Sequence, residues 1–502
     1  MNADGLIEKY RENLLLQSNQ FDTTWTTYLA SVTSGQNGYD GTNDAWLLSK
    51  SGASGQIRQN VTSSGVATFS VYAKANGSDY AQMVSGSVYQ FFNLSLGTLG
   101  AGSGISGSIE AVGTNGWYRI SMSFDSSITS VRLYPAEVNT TSGTTGSIYI
   151  QNAQLENGLV ATDYLDSGAT TAKAGVLIDL PRINYDANGE NGALLLEPSR
   201  ANLVQYSEYF GDSSWDTGAT TADISKSPNL SPEGVANCYY VENVSGGQLG
   251  FYTTITSGAS YTGSFWVRKV SGSGVVRMLN VNNSSTDFNV DTEWTRVSVT
   301  ATSTSTTGRC YVQARNTGDI IEVYGAQLEA GSYATSYIPN HGSSGGVTRA
   351  ADSCLDGGSA ESINSTEGVL YAEISALAED VSFKTICLHD GTNTQRINIW
   401  YWNDGTFKVD GHNNNVQQFN FDFAADLTAL NKIAVKYKAN DFSVFLNGSK
   451  INSDTSGATP IGLNTLDFRN GNNLYPFYGN VKQVAVFDEA LSDSELATLT
   501  TL

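Results

Sequence analysis

The chain of 502 residues contains few of the residue types on which metal sites, redox chemistry and chain kinks depend: four cysteines, three histidines and eight prolines. The cysteines show no CxxC spacing and the histidines form no ligand cluster with them, which argues against a zinc site. Cys238 and Cys310 could pair as a disulfide, but the composition favours buried free thiols. The remaining residues of these two types are Cys354, Cys387, His341, His389 and His412.

The chain is also short of basic residues and of long apolar runs. It has 27 Lys and Arg against 48 Asp and Glu, a formal net charge of −21, and the acidic residues are scattered. This balance argues against a nucleic acid or an anionic membrane surface as partner. No apolar stretch approaches the length of about 18 residues that a membrane helix needs, and the N-terminus lacks the apolar core of a signal peptide. We therefore expect no membrane insertion.

The abundant residues indicate an all-β protein. There are 51 glycines together with dense Ser, Thr and Asn, which is typical of many turns, while 40% apolar residues and 11% aromatics indicate packed cores. A length of 502 residues fits about three domains.

One unit of the chain is used twice. AQLENGLVATDYL begins at Ala153 and AQLEAGSYATSYI at Ala326, with eight of thirteen positions identical. The same landmarks precede both in the same order: NLLLQSNQFDTTW and NLVQYSEYFGDSSW, FSVYAKA and FWVRKV, then GWYRISMSF and EWTRVSVTA. The changing offset between landmarks indicates insertions in surface loops, which domain-sized units tolerate.

Strand patterns within the repeat predict sandwiches. In FSVYAKA, apolar Phe69, Val71 and Ala73 alternate with Tyr72 and Lys74, so one face is buried and the other is wet. Glycine-rich runs such as LGTLGAGSGISGSI are interpreted as turns between antiparallel strands. Each unit is therefore predicted to be a two-sheet sandwich of the jelly-roll type.

A different β-sandwich follows the repeats. Alternating runs are separated by NDG at 403–405 and NGS at 447–449, which are typical of hairpin turns. Near the C-terminus, Ser492 and Glu495 form the pattern of a capping box that starts a short helix. The predicted domains are the leader (1–12), module 1 (13–168), an ordered connector (169–201), module 2 (202–342), a flexible linker (343–364) and the C-terminal module (365–502).

The segments NADGLIEKYRENLLLQSN, PRINYDANGENGALLLEPSRANLVQYSE and TRAAD resemble those of structural proteins of tailed bacteriophages, notably tail fibres. The repeated units resemble carbohydrate-binding modules of the family 4/9 type. The last module, with DFSVFLNGSKI and GNVKQVAVFDEALSDSEL, resembles concanavalin A-like or laminin G-like sandwiches. In such phage proteins DGLIEKYRENLL follows an upstream domain, whereas here it stands at the start of the chain.

The repeated strands offer candidate glycan sites. Tyr72 and Lys74 in module 1 match Trp266 and Arg268 in module 2, an aromatic residue and a cation two positions apart on the predicted wet face. Aromatic rings can stack on the apolar side of a pyranose while polar groups bind its hydroxyls. The alternative is that a loop or another subunit covers this face and the pair forms a cation–π contact.

Other repeated residues favour a structural role. Trp117 and Arg119 recur as Trp294 and Arg296, and we predict an arginine stacked under the tryptophan and tied to a loop carbonyl or carboxylate. Glu156 and Glu329 of the AQLExG motif are candidates for a structural calcium site, which the resemblance to jelly-roll modules implies.

The C-terminal module has a third candidate in RINIWYWND. Arg396, Asn398, Trp400 and Trp402 alternate with Ile397, Ile399 and Tyr401. If the isoleucine face is the core, the two tryptophans form an exposed stacking strip; if the tryptophans are the core, there is no site there.

The sequence shows no GxSxG, HExxH, Cys/His pair or phosphate loop, and no catalytic carboxylate pair can be singled out. We expect a non-enzymatic phage virion protein that requires no cofactor and contacts host or environmental polysaccharide. Its other partners would be virion proteins and further copies of itself, as a homotrimer. The alternatives are a purely structural capsid decoration or fibre stalk protein, and a polysaccharide depolymerase.

Overall fold

The fold is known from a computed structural model that describes residues 2 and 4 and ranges 6–177, 180–186, 189–217, 222–379 and 382–502. It consists of antiparallel sheets packed as three sandwiches, with one short α-helix at the C-terminal end. The predicted all-β class is therefore confirmed. No helix of the described residues is long and apolar enough to cross a membrane.

Module 1 is built from two six-stranded sheets and a two-stranded closure. Its strands are β1 (Arg11–Asn13), β2 (Thr26–Tyr28), β3 (Ala30–Gln36), β4 (Ala45–Lys50), β5 (Gln56–Ser63), β6 (Val66–Asn76), β7 (Tyr80–Ser85), β8 (Val88–Asn93), β9 (Thr98–Gly102), β10 (Ser106–Val112), β11 (Trp117–Asp125), β12 (Ile128–Ala136) and β13 (Gly146–Asn157), with β14 (Ala172–Ala174) from the connector. The sheets run β10-β11-β6-β13-β4-β3 and β2-β5-β12-β7-β8-β9, and β1 pairs with β14.

Module 2 repeats this plan with fewer strands. The connector before it contains β15 (Ile183–Asn184) and β16 (Ala193–Leu196), which belong to a sheet of the C-terminal module, and the first residues of β17 (Arg200–Asn202), which belongs to module 2. The others are β18 (Ala222–Lys226), β19 (Tyr239–Asn243), β20 (Leu249–Thr254), β21 (Ser260–Ser271), β22 (Val275–Leu279), β23 (Ser285–Asn289), β24 (Thr295–Thr302), β25 (Thr307–Ala314), β26 (Ile320–Ala330) and β27 (Val347–Arg349), with a 3-10 turn at Val281–Asn283. Its sheets run β18-β19-β26-β21-β24 and β20-β25-β22-β23, and β17 pairs with β27.

The two orders correspond strand by strand: β3, β4, β13, β6 and β11 of module 1 match β18, β19, β26, β21 and β24 of module 2. Module 1 alone inserts β9 and β10 before β11. The glycine-rich run of residues 96–109 thus forms parts of two strands, although its composition predicts turns. Glycine lacks a side chain to mark a pleated pattern, but it can still make backbone ladder bonds.

The C-terminal module is a sandwich of seven and five strands. Its strands are β28 (Glu367–Ala376), β29 (Lys384–His389), β30 (Arg396–Tyr401), β31 (Thr406–Asn413), β32 (Val416–Ala424), β33 (Asn431–Lys438), β34 (Phe442–Leu446), β35 (Ser449–Asp454), β36 (Thr465–Asp467) and β37 (Gly479–Phe487), followed by α1 (Asp493–Leu499). The sheets run β15-β16-β37-β28-β33-β34-β35 and β32-β31-β30-β29-β36. The connector hairpin therefore supplies two strands to a sheet that lies nearly 300 residues further along the chain.

Local sequence signals place several ends of elements. Ser492 accepts a hydrogen bond from the Glu495 amide while the Glu495 side chain accepts one from the Ser492 amide, which confirms the capping box. The 403–405 segment lies between β30 and β31, and Asn447 and Gly448 connect β34 to β35, as the hairpin motifs predict. Asn447 and Gly448 both have positive φ, which the Asn-Gly pair accommodates in a tight turn.

The linker is more ordered than its composition predicts. Val347–Arg349 pairs with β17, and the amide of Asp352 donates to the Glu197 carbonyl at 2.9 Å. Arg182 and Arg349 both form ion pairs with Glu197, and Arg182 also pairs with Asp352. These charges join the connector to the linker, so the residues between module 2 and the C-terminal module do not form a free tether.

Modules 1 and 2 share an apolar interface. Val66 and Leu159 of module 1 belong to the buried cluster that contains the core of module 2. The Val66 amide donates to the His341 carbonyl at 2.6 Å, and Gly65 adopts a positive φ directly against that carbonyl. Two jelly rolls joined in this way pack as neighbours rather than as separate beads on a chain.

Candidate functional site

Tyr72 and Lys74 lie on the outward face of β6, as the alternation predicts, since Phe69, Val71 and Ala73 are fully buried. Tyr72 is not free to stack on a ligand, however. The ring of Tyr39 lies on it with centroids 3.8 Å apart and planes 7° apart, and the Arg119 guanidinium is 5.5 Å from the same ring centroid. The available aromatic surface in module 1 is therefore that of Tyr39, which covers Tyr72.

Tyr39 lies in the loop between β3 and β4, and two residues of β13 hold it in place. The Tyr39 amide donates to Gln151 Oε1 at 3.0 Å, and the Tyr39 hydroxyl accepts from Asn152 Nδ2 at 3.2 Å. Burial raises the pKa of Tyr39 to about 12, so the ring is a neutral phenol at physiological pH. Trp117 and Tyr149 extend the cluster. The ring centroid of Trp117 lies 6.4 Å from that of Tyr39 and 6.4 Å from that of Tyr149. Trp117 and Tyr149 are the partners of Lys74 on the two neighbouring strands.

Arg119 and Arg296 have the predicted structural role with a different stacking partner. Each donates to a loop carbonyl, Arg119 to Thr162 and Arg296 to Thr335, and each also reaches a serine of the neighbouring strand. The rings under the cations differ from the prediction: Arg119 lies over Tyr72 rather than Trp117. In module 2 the cation over Trp294 is Arg268, not Arg296.

Module 2 uses its aromatic and basic pair internally. Arg268 Nε donates to the buried Glu322 at 2.5 Å, and its guanidinium lies 4.7 Å from the Trp294 ring centroid. A loop carbonyl, that of Leu230, accepts from Trp294 Nε1 at 3.1 Å and from Arg268. This is the alternative that the sequence left open, a covered face with a cation–π contact. Trp266 is half-buried, and its indole N–H has no hydrogen-bond partner among the described residues.

The glutamate of each AQLExG motif binds the segment that follows the last strand of its sandwich. Glu156 accepts hydrogen bonds from Gln154, from the Thr162 amide and from the Thr162 hydroxyl, at 2.6, 2.9 and 2.5 Å. Glu329 makes the same three bonds, from Gln327 and Thr335, at 2.6, 2.8 and 2.6 Å.

These bonds correct the calcium expectation for Glu156 and Glu329. Protein donors occupy both oxygens of each carboxylate, whereas calcium needs several free oxygen ligands. No group of three or more His, Cys, Asp or Glu able to hold a metal occurs in the part of the chain that the structure describes. Burial raises the pKa of Glu156.

In the C-terminal module, the isoleucine face of β30 is core, and most of the opposite face is also buried. Ile397, Ile399 and Tyr401 belong to the main apolar cluster. Arg396 and Asn398 are covered as well: Asn398 Nδ2 donates to Asp410 Oδ1 at 2.7 Å, and Arg396 contacts His412 Nε2 at 3.2 Å. These two residues form a buried polar network and are not exposed for a ligand, so the exposed strip that the isoleucine-core alternative implied does not extend over them.

The tryptophans of the same face belong to an aromatic cluster at the end of the sheet. Trp400 is 6% exposed and forms the floor. The ring centroids of Trp402 and Tyr475 lie 5.7 and 5.6 Å from that of Trp400. The Phe383 ring lies beside both, with its centroid 4.5 Å from that of Trp402 and 5.4 Å from that of Tyr475. Lys408 Nζ is 4.5 Å from the Trp402 ring centroid. Tyr475 is 41% exposed, so the rim of this cluster faces solvent.

The backbone fixes Tyr475 in this position. Its φ is 60°, in the left-handed region that bulky residues rarely adopt. The Tyr475 carbonyl accepts from the Thr385 amide at 3.1 Å, and the turn before it is closed by a bond from the Asn470 amide to the Leu474 carbonyl at 2.9 Å. Such strain persists only where the surroundings hold it, and it concentrates at functional sites.

The sequence argument missed the residues that complete both aromatic surfaces, Tyr39, Tyr149, Phe383 and Tyr475. Tyr39 and Tyr475 lie in loops, within QNGYDGTND and NGNNLYPF, where no strand alternation assigns a face. The usable signal for Tyr39 is an aromatic residue flanked by Gly and Asp in a turn, since loops on a rigid scaffold often carry binding residues. Tyr475 lies between Leu474 and Pro476 and has no such flanking pattern.

The cysteines and histidines do not form a nucleophilic site. All four cysteines are free, and Cys238, Cys310 and Cys387 are buried, as we predicted for the thiols. Burial raises the pKa of Cys238 to about 11, which keeps it a thiol at neutral pH. His389 lies 3.3 Å from Asp467, and burial lowers the pKa of His412.

Module 2 also contains a cleft of about 490 Å³. It is lined by residues that include Arg200, Leu203, Ile255 and Tyr261. None of the predicted glycan residues lines it.

Residues 376–497 match the profile of a protein family described as the concanavalin A-like lectin/glucanases superfamily. The C-terminal module is thus a concanavalin A-like sandwich. No curated protein matches the chain.

Three solved structures are among those similar to this chain. The CBM40 of Ruminococcus gnavus IT-sialidase, bound to alpha2,3 sialyllactose, shares 20% identity over 27% of this chain and 84% of that chain, with a TM-score of 0.24. The CBM22-1-CBM22-2 tandem domain of Paenibacillus barcinonensis Xyn10C shares 13% identity over 65% and 99%, with a TM-score of 0.21. A heptameric SAP-like pentraxin from Limulus polyphemus shares 13% identity over 29% and 73%, with a TM-score of 0.24. No functional conclusion rests on these similarities.

Proposed function

We propose that this protein binds glycans through the aromatic cluster of its C-terminal module, and that it does so as a non-enzymatic attachment protein on the virion of a tailed bacteriophage. The family profile that matches residues 376–497 includes lectins, which supports the choice of ligand class. The likeness of the leader, the connector and TRAAD to phage structural proteins supports the virion setting.

The carrying observation is Tyr475, held at φ 60° with 41% of its surface exposed beside Trp402. A buried tyrosine would gain packing energy in return for this strain, but an exposed ring gains little of it. The strain is explained if the ring is kept in place for a ligand. Trp400 beneath and Phe383 beside it limit the movement of both exposed rings.

The surroundings suit a sugar. Aromatic rings offer an apolar face for the C–H side of a pyranose, and a few polar groups can then fix its orientation. Lys408 and Asp422 lie on neighbouring strands, 3.8 Å apart, and the Asp422 side chain is largely exposed. Asn472 and Asn473 are exposed in the turn that carries Tyr475. Together they provide both donors and acceptors for hydroxyl groups.

Module 1 contributes a second, shallower surface in this proposal. Tyr39 takes the stacking role that the sequence suggested for Tyr72, with Lys74 and Tyr149 beside it. Module 2 takes a structural role, because its Arg268 and Trp294 are bound to each other and to the Leu230 loop. Shallow sites bind weakly, and copies in a homotrimer would raise the avidity of the particle for a glycan-coated surface.

The test is binding of the purified protein to a glycan array and to intact host-type polysaccharide. We expect Trp402→Ala and Tyr475→Ala each to weaken binding about tenfold or more, the loss typical of a central aromatic contact. Tyr252→Ala is the matched control, because Tyr252 is 44% exposed on module 2 and outside the cluster.

Unchanged binding in both cluster variants, with the fold intact by circular dichroism, would overturn the glycan site. Loss of polysaccharide viscosity on incubation with the wild-type protein would instead establish a depolymerase. Absence of the chain from purified particles would exclude the virion setting.

A further inference from the structure

The leader docks on module 2 rather than on the module that it precedes. The Ile7 amide donates to the Pro232 carbonyl at 2.9 Å, and Leu6 packs against Gly234, whose φ of +85° requires a glycine. Two residues further on, the Lys9 side chain enters module 2 and is almost completely buried.

The Lys9 ammonium ends between two carboxylates. Nζ lies 2.8 Å from Glu208 Oε1 and 2.7 Å from Glu233 Oε2. The hydroxyls of Tyr324 and Tyr337 donate to the same carboxylates, Tyr324 to Glu233 at 3.0 Å and Tyr337 to Glu208 at 3.0 Å. The Tyr324 ring centroid lies 5.9 Å from Nζ. The pocket therefore offers an ammonium group two anionic acceptors and an aromatic wall.

A further buried polar side chain contacts both carboxylates. Asn237 is 1% exposed and donates through Nδ2 to both carboxylates, at 3.3 and 2.9 Å. Its Oδ1 is buried and has no hydrogen-bond partner among the described residues. The two carboxylates, which only accept hydrogen bonds, suit a cation with several N–H donors, which a primary ammonium has and a quaternary ammonium lacks.

This pocket is particular to module 2. Glu208 follows Asn202 by six residues, as Asn19 follows Asn13 in module 1, so a carboxylate replaces an amide. Tyr324 is the strand partner of Trp266, and Gln151 is the strand partner of Tyr72. Since Trp266 and Tyr72 are equivalent, Tyr324 occupies the position of Gln151. In module 1 the corresponding place is filled by the Tyr39 loop. The two copies have thus diverged toward different contacts at the same place.

The charges require a cation in this pocket. Burial alone would lower the pKa of Lys9, but Glu208 and Glu233 outweigh this effect and raise it above its usual value. Burial would raise the pKa of Glu208, but Lys9 lowers it below its usual value. Another titratable neighbour, His341, has its pKa lowered by burial and does not supply the charge at neutral pH.

We propose that the Glu208–Glu233–Asn237 pocket of module 2 is a primary-ammonium site whose resident ligand is Lys9 of the same chain. With Lys9 bound, the pocket holds residues 6–9 of the leader on module 2. Because β1 follows directly, the same contact also links the first strand of module 1 to module 2.

The experiment is chemical rescue of Lys9→Ala. This substitution removes the three methylene groups and the ammonium that n-propylammonium supplies. We expect Lys9→Ala to lower the Tm of the transition of modules 1 and 2 by roughly 5–10 °C, since it leaves two buried carboxylates without a counter-charge. Millimolar n-propylammonium should then restore at least half of that shift, and tetramethylammonium at the same concentration should not.

Two further variants complete the design. Lys173→Ala removes a surface lysine 3.9 Å from Glu12 and should change Tm by no more than about 1 °C. Lys9→Met keeps the apolar length of the side chain, fills the path to the carboxylates and should be destabilised without rescue. If Lys9→Ala does not fold alone, its folding is measured in the presence of each cation, and n-propylammonium but not tetramethylammonium should restore it. A Lys9→Ala protein as stable as wild type, or one that n-propylammonium stabilises no more than tetramethylammonium does, would overturn the ammonium site.

Discussion

Asn13 in module 1 and Asn202 in module 2 make the same four hydrogen bonds at equivalent places. Asn13 Nδ2 donates to the carbonyls of Ala153 and Leu165, and its Oδ1 accepts from the amides of Leu15 and Leu155. Asn202 repeats all four bonds with Ala326, Ile338, Val204 and Leu328. Each asparagine thereby joins the first strand of its sandwich, the AQLExG strand and the exit segment.

Replacing either asparagine by alanine should destabilise its own module by about 2 kcal/mol or more, because four buried backbone groups lose their partner. Urea unfolding followed by tryptophan fluorescence would measure the two variants. Asn452→Ala, at an exposed position in β35, is the control. Stabilities equal to wild type would mean that water or a neighbouring group replaces the amide.

Glu197 should make the connection between the connector and the linker sensitive to acid. Burial raises its pKa, but Arg349 and Arg182 outweigh that effect and hold the pKa below the usual value. The stability from this ionised carboxylate is therefore present at neutral pH and is lost as the pH falls from about 4.5 through the lower folded-state pKa. Glu197→Gln should cost about 3 kcal/mol at pH 7 and progressively less toward pH 3, as measured by urea unfolding across that range.

Glu8→Gln provides the comparison for the acid experiment, since Glu8 aligns with Glu197 in the repeat but is exposed. Its stability should follow that of wild type at every pH. A gap between wild type and Glu197→Gln that stays constant from pH 7 to pH 3 would contradict the proposed ionic role.

The C-terminal module should depend on the connector hairpin for its stability. Leu196 of β16 is 3% exposed and belongs to the core of that module, and β16 pairs with β37. Leu196→Ala should destabilise the C-terminal module by about 2–4 kcal/mol, although the residue lies between modules 1 and 2 in the chain. Thermal unfolding of the full chain would detect this as a lower transition of the C-terminal module. Leu180→Ala, at an exposed position just before the hairpin, should leave that transition in place.

Sequence patterns predicted those parts of the fold that local physics determines. Period-two alternation placed Phe69 and Val71 inside and Tyr72 outside, and the Ser492–Glu495 pair placed the helix start. The repeat itself predicted the matching strand orders. The use of β16 by a distant sheet could not be predicted, since the leucines of ALLLEP indicate burial but not the surface that buries them.

The candidate sites were less predictable because alternation distinguishes only two faces and not what lies on each. Arg396 and Asn398 alternate with core isoleucines, yet Asp410 and His412 from the next strand cover them. Tyr72 points outward as predicted, but a loop about 30 residues earlier in the chain supplies the ring that covers it. Contacts of this kind come from loops whose path no periodicity encodes.

The apolar seam between modules 1 and 2, with Val66 held against the His341 carbonyl, also sets a geometry for attachment. Because this seam joins the two jelly rolls, the Tyr39 surface has a defined direction relative to module 2. A particle carrying many copies would therefore present these surfaces at set spacings. In the proposed function, such an array would discriminate between coats by the distances between their sugars as well as by the sugars themselves, since simultaneous engagement fails where the spacings do not match.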